Sequence, residues 1–305
     1  MPDFDRDSVC ILIPTLDEEA TIRQLIRDFR KEGFNNIFVI DGNSSDQTRK
    51  IALGEGARVE VQHGKGKGQA VQEAFDMIDS PYVVMVDGDA TYLARDIYAM
   101  VEPLIENRAD QVIGNRFANS EKGAFTRLNL LGNQLLNSFF GYAYGIGLED
   151  ILSGYRGFTR EAIEDFRLNQ AGFGIETEMA VESIKNEHRI EVVPITYVAR
   201  HKSAPTKLNP FTDGFNIGAT IYRLAKLQNP MFYFGMIGGV FVFLGLLSGL
   251  YVLSEWFQGV TRIPMTVLTA LLIITGIQMF IFGILSDLVV SLHRDAMRAI
   301  RRNRK

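Results

Sequence analysis

Residues 231–253 contain no charged side chain. As a helix such a run measures about 35 Å, enough to cross a hydrocarbon core of about 30 Å. Residues 266–290 form a second run, interrupted only by Asp287 near its end. Two consecutive uncharged stretches of this length are rare in soluble cores, so the expectation is a pair of membrane helices rather than a buried hairpin. The connecting residues 254–265 carry Trp256 and Phe257, which suit the membrane interface. Arg223 and Lys226 precede the first run, and Arg294, Arg298, Arg301, Arg302, Arg304 and Lys305 follow the second. Positive charge on both outer flanks predicts that both ends stay in the cytoplasm. The basic tail reads as a headgroup and topology signal. Asp287 reads as a helix-end residue near the headgroups rather than a functional intramembrane acid.

The remaining two thirds are polar and acidic. The 305-residue chain has a net charge of −4, which argues against a nucleic-acid partner, since that footprint needs a basic face. Its single cysteine, Cys10, excludes an internal disulfide and fits a reducing compartment. Residues 1–8 have neither a basic n-region nor an apolar h-region, so no signal peptide is expected.

From residue 8 to about 195, strand-like and helix-like patterns alternate. Residues 9–13, 37–40, 58–61, 82–86 and 112–113 read as strands. Between them, Ile22, Leu25, Ile26 and Phe29, then Ala70, Val71, Ala74, Phe75 and Ile78, then Ile97, Val101, Leu104 and Ile105 recur at helical spacing. This order predicts an α/β domain with a mostly parallel sheet and helices on both faces. Ligands then bind beyond the carboxyl ends of the strands, where the polar clusters of this chain fall. Two segments differ. Residues 125–148 are rich in Leu, Phe and Tyr, with Asn129, Asn133 and Asn137 on one helix face; a core helix and a helix lying in the membrane interface are equally compatible with that pattern. Residues 211–227, with Phe211, Phe215, Tyr222 and Arg223, read as an interfacial helix leading into the first span.

Val86-Asp87-Gly88-Asp89 ends an apolar strand. Two carboxylates one residue apart at a strand exit can face a hard divalent cation shared with substrate phosphates. Asp41-Gly42-Asn43-Ser44-Ser45-Asp46 leaves another strand; Asp41 can accept hydrogen bonds from a base or ribose, while Ser44 and Asp46 equally suit capping of the next helix. In Pro14-Thr15-Leu16-Asp17-Glu18, Thr15 and Glu18 have capping-box spacing, and Asp17 or Glu18 can also reach a nucleotide. His63-Gly64-Lys65-Gly66-Lys67-Gly68 places small residues and two cations before a helix, a natural phosphate cradle.

In this order, and together with Gly114-Asn115-Arg116 and Asp150-Ile151-Leu152-Ser153-Gly154-Tyr155-Arg156, these motifs resemble family 2 glycosyltransferases of the Rossmann-like GT-A fold. More narrowly the chain resembles dolichyl-phosphate mannose and glucose synthases, above all archaeal dolichyl-phosphate hexose synthases of surface-layer N-glycosylation. The resemblance covers residues 8–208. It implies that Pro14, Thr15, Asp17, Glu18, Asp41, Lys67, Asp87 and Glu176 bind the nucleotide-sugar, with Glu176 and Glu178 as an acidic pair facing the sugar. Asp87 and Asp89 would hold Mg²⁺ or Mn²⁺. Asp89, Arg116, Arg156, Arg200 and Lys207 would serve catalysis, Arg116 and Arg156 on phosphates beside Ser153, Arg200 and Lys207 on the lipid phosphate. Two positions depart from the family pattern: Gly42 replaces a second aspartate, and Thr91 replaces the glutamine that often follows the Asp-x-Asp.

The resulting expectation is a cytoplasmic GT-A catalytic domain at 1–208, an interfacial helix at 209–228, two transmembrane helices within 229–293 and a basic cytoplasmic tail at 294–305. The expected reaction is inverting transfer of a hexose, with UDP-glucose as first choice, to dolichyl phosphate at the cell membrane, for protein N-glycosylation. GDP-mannose or UDP-N-acetylglucosamine as donor, an undecaprenyl-phosphate acceptor, and a non-enzymatic nucleotide-sugar sensor are the alternatives. Membrane lipid is an expected partner, and self-association into a homo-oligomer is compatible with this reading.

Overall fold

A computed structural model describes residues 4–168, 174–200 and 210–302. The chain divides into two compact units, Met1–Gly141 with Ile146–Thr220, and Tyr142–Gly145 with Ile221–Lys305.

The first unit is built on seven strands: β1 (Val9–Thr15), β2 (Ile37–Asp41), β3 (Arg58–Val61), β4 (Tyr82–Met85), β5 (Gln111–Ser120), β6 (Arg156–Thr159) and β7 (Ile190–Tyr197). Their order across the sheet is β3-β2-β1-β4-β6-β5-β7. All neighbouring pairs are parallel except those of β6, which runs against both β4 and β5. The reason for the unbroken apolar run in β1 is visible in its two faces. Val9, Ile11 and Ile13 enter one core layer, and Cys10 and Leu12 the other. The first layer receives Ile22, Leu25, Ile26 and Phe29 from α1 (Ile22–Lys31), and Ile97, Met100, Val101 and Leu104 from α4 (Ile97–Ile105). The second receives Ala70, Val71, Ala74 and Phe75 from α3 (Lys67–Met77), and Ile175 and Met179 from α7 (Ile175–Lys185). Full burial of each large apolar side chain contributes about 1.5–3 kcal/mol, so the 3.6-residue periodicity of these helices is what commits them to the sheet. Burial also pushes the Cys10 thiol up to about 12, leaving it an inert core residue.

The strand expectations stand at β1 to β4 to within two residues. β5 is longer than the Val112-Ile113 pair that its apolar content marked; its outer part, from Phe117 to Ser120, is partly or wholly exposed and carries no sustained apolar run. β6 carried no strand signal; its four residues are buried because both neighbours cover them, Arg156 lying between Met85 and Ile113. The smaller helices α2 (Thr48–Gly54) and α6 (Arg160–Asp165) complete the unit. The helix α5 (Arg127–Tyr144) carries the asparagine stripe. It is no core helix, since Leu128, Leu130, Leu131 and Leu135 are exposed. Its Asn137 accepts from Ile151 N at 3.1 Å and donates to Glu149 O at 2.6 Å, so the stripe holds the 149–151 loop.

The helix α8 (Pro210–Gln228) precedes α9 (Pro230–Phe257) and α10 (Ile263–Arg302). Asn229 caps α9 by accepting from Phe232 N at 3.0 Å, and Pro230 occupies its first turn. Residues 230–257 and 263–292 each form a helix long and apolar enough to cross a membrane, with only 11% of each apolar window buried. Side chains such as Phe243, Leu247, Leu250, Ile274, Ile281 and Leu285 point outward, whereas glycines let the two backbones approach. A Cβ on Gly238 would lie 2.8 Å from Gly276 O, and Ser248 and Thr269 hydroxyls bond across the pair at 2.8 Å. The helix α10 does not stop near residue 290. It continues to Arg302, so the first part of the expected tail is helical.

Candidate active site

The strand order reverses between β1 and β4, and the acidic motifs collect at that point. In the parallel register Pro14 lies beside Ile40 and Thr15 beside Asp41. The loops that follow these two strands are zipped together. Asp17 N donates to Ser44 Oγ at 2.8 Å, and Ser45 N donates to Asp17 Oδ1 at 2.7 Å. Glu18 N donates to Thr48 Oγ1 at 2.8 Å, Glu19 N to Asp46 Oδ2 at 3.1 Å and Gln47 N to Glu19 Oε2 at 3.0 Å. Fully buried Asp41 accepts from Ser44 N at 2.9 Å, with Arg49 Nε at 3.5 Å. Asp46 also accepts from Thr48 N at the start of α2, whose N-cap Gln47 makes no side-chain capping bond, while Ser44 is used by Asp17 and Asp41. The capping-box spacing of Thr15 and Glu18 has a different outcome. Thr15 belongs to β1 and α1 begins only at Ile22, because the residues between are used to pair with the loop after β2.

Asp87 and Asp89 lie just past the end of β4. The Lys67 ammonium, at the N-terminus of α3, bonds Asp87 Oδ1 and, at 2.5 Å, Glu176 Oε1 in the first turn of α7. Arg200, after β7, bonds Glu18 Oε1 at 3.0 Å and lies 3.5 Å from Asp89 Oδ2. Bonded partners 20 to 182 positions apart in the chain thus converge on one cluster of four carboxylates and two cations. Burial pulls the Lys67 ammonium down, but the Asp87 and Glu176 carboxylates outweigh it and hold it above its ordinary value. Burial and the neighbouring Asp87 charge hold the Asp89 carboxyl above its ordinary range. Thr91 N and Oγ1 donate to Asp89 Oδ1 at 3.1 and 2.7 Å. The threonine that stands in place of glutamine therefore orients a carboxylate.

Arg116 and Arg156 are embedded. Arg116 forks onto fully buried Asp150, with both contacts at 2.7 Å, and lies over the rings of Phe117, Phe125 and Tyr197. Burial lowers and Asp150 raises its guanidinium, and the net position is well above its ordinary value. Arg156 donates Nε to Ser153 O at 2.9 Å and NH2 to Ile151 O at 2.7 Å. Burial pushes it down to about 10, and its NH1 has no hydrogen-bond partner among the described residues. That NH1 is buried like the rest of the side chain. Ser153 and Glu178 are buried, the latter in the first turn of α7 with Glu176. Lys207 lies outside the described residues.

Two site residues carried no role in the motifs. Tyr92 OH accepts from Gly154 N at 2.9 Å, its ring packed against Tyr155 and Tyr197. Gly154 itself covers Asp87: a Cβ there would collide with Asp87 Oδ2. Tyr92 follows the acidic motif directly, but only the fold brings it to a loop some 60 residues on, so adjacency was the sole signal.

Among the described residues no three acidic, histidine or cysteine side chains form a closed metal cage. The donor set nonetheless fits a hard divalent ion of the kind that binds through one or two carboxylates and completes its shell with water and substrate phosphates. The two aspartates supply only oxygen, and they already attract the two cations of the protein.

A mostly parallel sheet with an acidic pair beyond its switch point, faced by lysine and arginine, is a GT-A-type fold. Residues 10–167 match the model of the family described as glycosyl transferase family 2, and the chain belongs to that family and is a glycosyltransferase. It is 49% identical over 296 residues to glycosyltransferase AglJ of Haloferax volcanii, covering 96% of this chain and 97% of that protein. It is 32% identical to the dolichyl-phosphate hexose transferase of the same organism, covering 73% of this chain and 96% of the relative. Among solved structures, glucosyl-3-phosphoglycerate synthase of Mycobacterium tuberculosis with Mn²⁺, UDP-glucose and phosphoglyceric acid superposes with a TM-score of 0.61 at 20% identity, covering 74% of this chain and 86% of that one.

Gly154→Ala is expected to displace Asp87 and lower the transfer rate by about 100-fold, the scale of a 1 Å misplacement of a reacting group. Steady-state kinetics alongside thermal unfolding checks this; full activity would show that Asp87 can move without consequence.

Proposed function

We propose that this glycosyltransferase moves a hexose, with UDP-glucose as the first donor to test, onto a dolichyl-type polyprenyl phosphate at the cytoplasmic membrane face. The observation that carries the reading is the joining of two features in one chain. One is the Asp87/Asp89 pair set against Lys67 and Arg200; the other is a pair of helices apolar enough to hold the enzyme where a lipid acceptor resides. The relative named as a dolichyl-phosphate hexose transferase supports the acceptor and sugar class. The mycobacterial synthase of the same fold, which holds Mn²⁺ and UDP-glucose, is in keeping with the donor. The proposed organisation is a catalytic domain at 1–208, an interfacial helix at 209–228 and two spans within 229–293. Both termini face the cytoplasm, as the basic flanks favour.

A phosphate monoester is largely ionised near neutral pH, so its oxygen attacks without a general base. The work of the chain is then orientation and charge. The zipped loops bearing Asp17, Glu18 and Asp41 form the wall that would hold the nucleoside. Glu176 would face the sugar, and Arg200, with Lys207, would grip the lipid phosphate in line behind the anomeric carbon. Lys67 and Arg156 would stabilise the departing diphosphate. Mg²⁺ or Mn²⁺ held by Asp87 and Asp89 would supply Lewis-acid neutralisation of that diphosphate. The expected outcome is a single inverting displacement.

Membranes carrying the protein, given radiolabelled UDP-glucose, GDP-mannose or UDP-N-acetylglucosamine with Mg²⁺ and dolichyl phosphate, are expected to place label in the lipid extract from one donor, UDP-glucose first, and to lose it with EDTA. No lipid label from any donor would overturn the reading. A product that retains the donor's anomeric configuration would overturn the single displacement.

A further inference from the structure

Lys67 lies in the glycine-flanked motif expected to cradle phosphate, yet its ammonium lies on carboxylates. It bonds Asp87 Oδ1 and Glu176 Oε1, and three elements, α3, the β4 exit and α7, meet on this one group. A Cβ added at Gly154 would collide with the Asp87 carboxylate, so this loop stands close against the acid whose Oδ1 Lys67 holds. Asp87 is the most accessible member of the trio, with 29% of its side chain exposed against 16% for Lys67 and 7% for Glu176. A metal ion arriving from solvent therefore meets an oxygen that an ammonium already holds. On the other side of the site, Arg200 spans Glu18 and Asp89 in the same way. When all are ionised, four carboxylates against two cations leave two negative charges, matching one divalent ion.

We propose that Lys67 and the divalent cation compete for Asp87 Oδ1, and that the donor diphosphate ends the competition by giving the ammonium new acceptors, so that metal and nucleotide bind as a coupled pair. This rests on the metal reading of Asp87 and Asp89 given above. The lysine stem is long and flexible, and its three donors can turn from carboxylate to phosphate without moving the backbone. The coupling is reciprocal: whatever factor the diphosphate adds to metal affinity, the metal adds to diphosphate affinity. Its consequence is that metal alone does not fill the site, and a donor that arrives without metal meets a lysine still committed to two carboxylates.

The test is a Mn²⁺ titration followed by electron paramagnetic resonance of the free ion, on purified full-length protein in detergent, with and without UDP or GDP. The native protein is expected to bind Mn²⁺ weakly alone and at least about tenfold more tightly with the nucleoside diphosphate. Lys67→Gln is expected to bind Mn²⁺ alone about tenfold more tightly than the native protein, from removal of one close positive charge. It should bind the Mn²⁺–nucleotide pair about tenfold more weakly, from loss of a charge-assisted hydrogen bond. Such opposite shifts are not expected from a merely structural lysine. The Lys67→Gln/Glu176→Gln variant keeps the net charge of the native site and spares the fold an unpaired buried acid. Its Mn²⁺ affinity without nucleotide should also rise, which separates occupancy of the oxygen from overall charge. Equal Mn²⁺ affinity in all three proteins, with nucleotide still tightening each, overturns the competition and leaves the metal site standing. No Mn²⁺ binding by any of them, with or without nucleotide, overturns both.

Discussion

Asp89→Ala is expected to lower formation of the lipid-linked sugar by at least about 10³-fold, the scale on which removal of a charge-stabilising group acts in a water-poor site. The side chain lies beyond β4, where Thr91 N and Oγ1 hold one oxygen and Arg200 faces the other. Alanine removes the charge that would meet the metal and, among the described residues, leaves Arg200 with Glu18 alone. Asp89→Asn is the sharper variant. It keeps the shape and an oxygen for Thr91 but not the charge, and is expected to be nearly as inactive. Transfer kinetics, with thermal unfolding and membrane fractionation as controls, checks both. Native-like turnover in either variant would refute the role given to this carboxylate.

Arg116→Ala is expected to act on stability before chemistry. Asp150 is fully buried and its two oxygens are taken by the Arg116 fork. Breaking such a pair leaves an uncompensated buried charge, a loss of about 3–5 kcal/mol against a typical total of about 5–15 kcal/mol. The aromatic surround of Phe117, Phe125 and Tyr197 would also lose its central cation. Thermal unfolding of the detergent-solubilised protein should show a large fall in Tm. The Arg116→Ala/Asp150→Ala double variant should lose less than the sum of the two single changes, because it removes the stranded charge. An unchanged Tm with a raised KM for the donor would instead make Arg116 a direct phosphate ligand.

The residues differ in how openly the sequence announced them. The apolar runs of α9 and α10, the helical stripe of α1 and the strand of β1 were legible because each is a local periodic signal set by burial. The place of Asp87 and Asp89 just past β4 was legible because the apolar run of that strand ends directly before them. Four residues of β6, without alternation or turn signals, were not, since their burial is imposed by β4 and β5 from either side. The capping-box spacing at Thr15 misled for a related reason: a local motif was outbid by hydrogen bonds to a loop about 30 positions away.

By itself the sequence determined the alternation of elements, the acidic strand exits and the two long apolar helical runs, all consequences of which side chains tolerate water. Tertiary structure alone decided the charge pairing. It set Lys67 on Asp87 and Glu176, turned Arg116 inward onto Asp150, and placed Gly154 against Asp87. Pairing of this kind depends on distances between segments up to 182 residues apart, and a charge buried near its partner behaves differently from the same charge in water.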